Sequence, residues 1–398
     1  MGAVRLPSPA YTQQEKTRPV AADAFRVVAI GMVGWFHIWQ QSWQGAGKWT
    51  YLARTGAVWV DGMILLSAFC LFLPYAAAWA EHRPDPGVDV PTFYKKRAIR
   101  ILPSYNVVLL AALTVTLLTA GAGPWLWRDL AAHLTFTHAW FVSTSIGTQL
   151  GGVTWTLSLF AWFYLLFPLV EKAMYRRPLV TGLAFFAVQA VWRHGTLPLY
   201  GTTDYSMRFN QLPAFASTLA LGMWGALAFS VLVRSPYMAH WWVRTLCTLG
   251  GCAALWQVNR LLVALGYCRD YQLWQLQNRT PLVSWMVLAV VLLALGLPLP
   301  GARFWAFLSG ISYNFYLWHQ TLTVWLKYQL HLPFWQGDTP PNQLGDTAWM
   351  AESNLLYWAS ALAAAVAATY LVEKPCMKFY KNYRKKYNNS GTQPEKVV

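Results

Sequence analysis

Acidic residues are scarce in this chain: Asp and Glu together number 15 among 398 residues, and all charged types make up only 12%. A soluble chain usually carries roughly 25%. The shortage excludes the two or three soluble domains that length alone would suggest at roughly 150 residues each, and no polar block between Phe25 and Val372 is large enough to form one. Cysteine is sparse too. Cys70, Cys247, Cys252, Cys268 and Cys376 include no CxxC pair, so neither a disulfide scaffold nor a metal site is expected. There is no signal-peptide core directly behind a basic N-terminal region. The first apolar run, from Phe25, is long enough to cross a bilayer and is read as a span that is retained.

Apolar and aromatic residues are abundant, at 56% hydrophobic with 24 Trp, 20 Tyr and 20 Phe, which excludes disorder. A net charge of +16 can signal nucleic-acid binding, but here the basic residues fall between apolar runs, so no nucleic acid is expected. A helix crossing about 30 Å of hydrocarbon needs about 20 mostly apolar residues. On that rule spans are expected near 25–43, 56–80, 98–120, 152–171, 178–194, 212–233, 241–265, 281–298, 303–328 and 354–373. The chain therefore reads as an all-α integral membrane protein, a single bundle of about ten transmembrane helices. Residues 1–24 precede the bundle, 25–373 form it, and 374–398 make a basic tail. The stretch 129–142, with His133 and His138, is short for a span and reads as re-entrant or interfacial, with an eleventh span as the alternative.

Lys and Arg in alternate connections divide 21 to 9, with Arg26 left inside the first span. The bias predicts that both termini are cytoplasmic. It also explains most of the positive charge, including the tail, as a topology signal. The opposite connections carry Tyr200, Tyr205, Tyr267, Tyr271, Trp274, Trp335 and Trp349, which serve as interfacial anchors or as faces for sugar stacking.

Ionisable groups inside spans are expensive, from about 2.5 kcal/mol upward at a helix centre, so each one is a functional candidate. Arg26 and His37 are eleven residues apart, which puts them on one helix face and about 16 Å apart along the axis. Asp23, Ile30 and Gly34 complete that stripe. A neutral imidazole in a low-dielectric cavity can take a proton from a hydroxyl; a helix-packing histidine is the plainer alternative. Arg97 and Arg100 share a face at the entry to the third span and can hold phosphates by forked hydrogen bonds. Lys95 and Lys96 beside them are equally a stop signal. Asp61 and Ser67, then Trp155 and Ser158, then Ser312, Tyr316 and His319 are the remaining polar candidates, and together they suggest a wet cavity within the bundle.

In order along the chain these motifs resemble the membrane acyltransferase-3 family. The resemblance rests on Arg26 and His37; Val60-Asp61-Gly62 through Ser67; Arg97-Ala98-Ile99-Arg100 with Pro103 and Tyr105; Trp155-Thr156-Leu157-Ser158 with Phe163-Tyr164 and Pro168; Ile311-Ser312-Tyr313 through Tyr316 and His319; and Glu373-Lys374-Pro375. It implies transfer of an acyl group, usually acetyl, from cytoplasmic acyl-CoA to a hydroxyl of an envelope or exported glycan, with a lipid-linked glycan as one form of the acceptor. It further implies His37 as the catalytic histidine, Arg26 as its partner, and Arg97 with Arg100 as the coenzyme A phosphate site. The setting would be the inner membrane of a bacterium, among its lipids, with a partner protein from an envelope polysaccharide system. Relatives often carry a glutamate five residues after the fourth-span tryptophan, where this chain has Phe160; the protein would then do without that acid or use Asp61 or His319 instead. Two other functions compete, a proton-coupled exporter of a glycan-type solute and a catalytically impaired scaffold of a synthase complex.

Overall fold

The structure, a computed structural model, describes residues 19–389. Arg5, Lys16, Arg18 and Lys396 of the charge count, with 1–18 of the N-terminal segment and 390–398 of the tail, lie outside the described residues. Among the described residues the chain is helical and contains no strand. The long helices are α1 (Val20–Ser42), α2 (Val60–Ala80), α3 (Val90–Thr119), the short α4 (Pro124–Leu134), α5 (Trp155–Arg176), α6 (Pro178–Thr196), α7 (Ala216–Leu232), α8 (Trp241–Gly266), α9 (Tyr271–Leu295), α10 (Ala302–Val324), α11 (Thr347–Ala368) and α12 (Lys374–Asn389). Among the described residues eight helical segments are long and apolar enough to cross a membrane, against the ten spans expected. Helices α6 and α10, of 19 and 23 residues, fall outside these eight and bury polar groups: Gln189 and Arg193 on α6, and Ser309, Ser312, Asn314 and His319 on α10.

Local chemistry sets the boundaries. Asp89 accepts from the Thr92 backbone N–H at 3.3 Å and Pro91 occupies the first turn, so α3 begins eight residues before the expected span. The cluster from Lys95 to Arg100 is thus helical throughout. Asp270 caps α9 in the same way through Leu273 at 2.9 Å, turning the expected 266–280 loop into helix from Tyr271. Helix α4 has 11 residues, about 16 Å, too short to cross about 30 Å of hydrocarbon. The segment with His133 and His138 then folds back on the start of α5, where His138 Nε2 donates to the Thr154 carbonyl at 2.9 Å.

Hydrophobic burial does not hold helices together in lipid, where close van der Waals packing and interhelical polar contacts act instead. The central pair α2 and α7 follows that rule. Ala68 and Gly222 line their contact, a Cβ on Gly222 would press on the Leu65 carbonyl, and Gly225 sits between Val287 of α9 and Phe69 of α2. Helix α10 packs between α1 and α11, and α1 and α10 run parallel, since Asp23 meets Ser309 while His37 meets Gln320. We call the end of the bundle with Asp23 and Ser309 the basic end.

Candidate active site

The stripe on α1 lies against α10. At the basic end Ser309 Oγ donates to Asp23 Oδ1 at 2.7 Å and accepts from Arg26 Nη1 at 3.3 Å. Midway, Gly34 lets the helices touch: a Cβ there would stand 2.5 Å from the Phe315 ring. One turn further on, the His37 and His319 rings are 5.3 Å apart. The period of α1 therefore places Arg26 and His37 on the face that meets the polar face of α10.

The two histidines are prepared differently. His319 is fully buried, and its Nδ1 lies 2.8 Å from the Tyr316 carbonyl. A carbonyl only accepts, so this contact places the proton on Nδ1 and leaves Nε2 a bare acceptor, which has no hydrogen-bond partner. His37 is half-buried and uses Nδ1, 3.1 Å from Gln40 Oε1 and 3.2 Å from Gln320 Nε2. With the proton on Nδ1 it donates to Gln40; without it, it accepts from Gln320. The local structure thus accommodates either placement of the His37 proton.

Two cavities approach this ladder. One, of about 850 Å³, opens at the basic end and is lined by Asp23, Arg26, Cys70, Arg100, Glu373 and lysines of α12. The other, of about 560 Å³, lies deeper between α3 and α5 and is lined by Arg26, Ser67, Arg97, Arg100, Phe160, Tyr164, Ser312 and Tyr316. Arg26, Cys70 and Arg100 line both. Arg97 faces only the inner one, with its guanidinium 5.3 Å from the Phe93 ring and 5.5 Å from the Tyr164 ring. The two arginines expected to act together thus share the inner cavity, and Arg100 alone of the two also reaches the outer one. At the far side of the inner cavity, Tyr316 donates to the Val153 carbonyl and accepts from Thr156, both at 2.9 Å, and its ring lies 5.6 Å from His319.

Ser67, Ser312 and Tyr316 are therefore gathered with Arg26, Arg97 and Arg100 around one chamber. Asp61, Trp155 and Ser158 line neither cavity, and neither do His37 and His319, which stand behind Tyr316 of the inner cavity's wall. Asp61 is bound to Arg279 Nε at 2.8 Å and to Thr218 at 3.2 Å. Trp155 packs on Phe215, and Ser158 donates to the Phe136 carbonyl at 2.5 Å. Phe160 takes its place in the chamber wall, stacked on Tyr164. Of the two groups named to replace an acid there, Asp61 is committed elsewhere in the core, while His319 stands beside His37.

Sequence reasoning missed Ser309, Gln40 and Gln320. Ser309 lies one turn before Ser312 on the same face, a periodic signal that was available. Gln320 has no such signal, because its partner is 283 residues away.

Comparison with known proteins agrees with these motifs. A family model described as "Acyltransferase domain" matches residues 20–374. A protein of the Acidianus two-tailed virus named as an acetyltransferase, ORF330, is 22% identical over 317 residues, covering 78% of this chain and 84% of its own. The acyltransferase MdmB of Streptomyces mycarofaciens is 24% identical over 221 residues, 48% of this chain and 56% of its own. No solved structure matches.

Proposed function

Since the chain belongs to the acyltransferase-3 family and is a multi-pass membrane acyltransferase, we propose that it moves an acyl group, acetyl first among them, from coenzyme A to a glycan hydroxyl. The observation that carries this reading is the meeting of two cavities at Arg26 and Arg100, the inner one reaching Tyr316 beside the histidine pair. In this reading the basic end faces the cytoplasm of a bacterium, in keeping with the charge bias. The donor enters there with its phosphates among the cationic side chains and its pantetheine arm extended along the ladder. Arg97 stands with Arg100 at the phosphate-bearing end, and the aromatic wall around Phe160 borders the acyl-bearing end.

In the transfer step the acceptor oxygen attacks the thioester carbonyl carbon while the histidine pair takes the hydroxyl proton. The carbon–oxygen bond forms, the carbon–sulfur bond breaks, and the sulfur leaves as thiolate that recovers the proton as free thiol. His37 can take the proton directly; alternatively it first accepts the acyl group on nitrogen and passes it on. His319, held in one tautomer, is a positioned acceptor beside it. The acceptor reaches His37 from the end opposite the basic one, where Tyr and Trp residues are concentrated, alone or presented by an envelope partner protein.

The test is acyl transfer by purified, reconstituted protein supplied with isotopically labelled acetyl-CoA and the surface glycan of the producing cell. Replacing His37→Ala should lower turnover by about 100-fold or more while the protein stays folded. Normal acylation by a folded His37→Ala protein would remove its catalytic role.

A further inference from the structure

The tail lysines were explained by topology, yet the structure carries three of them into the outer cavity. Lys374, Lys378 and Lys381 of α12 recur at i, i+4 and i+7, so they share one helix face, and all three line the 850 Å³ cavity with Arg26 and Arg100. A charge run that merely marked topology would spread around the helix and point to solvent or headgroups. Among the described residues lining this cavity there are five cations and two carboxylates, a formal excess of three positive charges. Both carboxylates are engaged: Asp23 accepts from Ser309, and Glu373 accepts from Asn314 at 2.8 Å. Glu373 belongs to a π-helical turn, Thr369–Glu373, that joins α11 to α12 and sets the direction in which the lysine face points.

We propose that α12 is the second wall of a phosphate-binding site, with Lys374, Lys378 and Lys381 facing Arg100 and Arg26 across a space filled by the phosphate groups of the donor's nucleotide. The proposal rests on the donor reading above and adds where the selectivity for a phosphorylated donor resides. An excess of like charges around one cavity is self-repelling, and several phosphates relieve it. The two side-chain types divide the work. Arg100 and Arg26 project from helices fixed in the bundle and hold a phosphate in forked geometry, whereas the exposed Lys378 and Lys381 act as adjustable point charges and Lys374 is steadied over the Tyr370 ring at 3.5 Å. The same chemistry would accept an anionic lipid headgroup, so lipid is the competing occupant.

The experiment is calorimetric titration of the full-length protein, in nanodiscs of zwitterionic lipid, with coenzyme A, 3′-dephospho-coenzyme A and pantetheine. The native protein is expected to bind coenzyme A more tightly than pantetheine. The triple variant Lys374→Gln, Lys378→Gln, Lys381→Gln should weaken coenzyme A binding about tenfold or more, as expected for lost charge-assisted contacts, and leave pantetheine unchanged. Because these side chains are exposed, the variant should melt with the native protein, and Lys378→Glu alone should weaken binding in the same direction. If the triple variant binds coenzyme A as tightly as the native protein does, the α12 site is overturned and the donor reading stands. If the native protein binds no coenzyme A, both fall. If anionic lipid in the nanodisc abolishes coenzyme A binding by the native protein but the lysine variants bind normally in zwitterionic lipid, the lysine face belongs to lipid and the nucleotide assignment is overturned.

Discussion

Two polar regions are built into the same bundle, and they treat charge in opposite ways. Around Asp61 the charges are sealed. Asp61 and Arg279 are each almost fully buried and joined at 2.8 Å, Thr218 donates to the carboxylate, Arg279 Nη1 donates to the Phe209 carbonyl at 3.2 Å, and its guanidinium lies 3.8 Å from the Phe215 ring. Around Arg26 the charges are left open. Arg26 is half-buried and donates to Cys70 and to Ser309, which links it to Asp23; Arg100 is exposed to two cavities, and cations outnumber carboxylates. A charge inside a bundle is thus not a sufficient sign of chemistry. A closed ion pair holds helices in register, and an open one leaves room for a ligand.

Breaking the sealed region should have the largest effect. Asp61→Ala strands Arg279 in the core and is expected to cost about 3–5 kcal/mol, seen as a large fall in the thermal unfolding midpoint in detergent. Replacing both partners, Asp61→Leu with Arg279→Met, should recover most of it. An unchanged midpoint for the single variant would show that the two regions do not differ as argued.

The open region depends on how closely α1 approaches α10, and a smaller effect is expected there. Gly34→Leu overpacks against Phe315, which costs roughly 1–3 kcal/mol and should depress acyl transfer by separating His37 from His319. A Cβ added at nearby Gly31 would meet nothing within 4 Å, so Gly31→Leu should leave both melting and turnover near native. Equal effects from the two variants would detach the ladder from the close contact.

The smallest effect tests whether pairing or burial makes the sealed region strong. Glu81 is paired with Arg234 at 2.5 Å on the exposed loop after α2. Hydrogen bonds from Arg234, aided by its charge, hold the Glu81 carboxyl below its ordinary range. Its contribution is therefore present above the ordinary carboxylate pKa and lost as pH falls below that range. Solvent screening keeps it well under about 1 kcal/mol. Arg234→Ala should barely move the midpoint at pH 7, with the difference vanishing in acid; a large loss would mean that exposure matters less than pairing.

The Arg26 and His37 stripe was legible because helical periodicity is local. Eleven residues at 3.6 per turn return to the same face whatever the helix packs against. The grouping of Ser312, Tyr316 and His319 was legible for the same reason. The early starts of α3 and α9 were not, because the caps Asp89 and Asp270 lie outside the apolar runs that mark spans. Nor could Asp61 be separated from the site residues, since its partner Arg279 is 218 residues away.

By itself the sequence determined that this protein is a helical membrane bundle, and which polar groups share a face of any one helix. Both follow from composition and short-range geometry. The tertiary structure alone decided which faces meet: His37 with His319, Asp61 with Arg279, and the α12 lysines with Arg100. Those pairings join distant parts of the chain, and they depend on where small residues such as Gly34 and Gly222 let helices come close. One-dimensional spacing does not encode that choice.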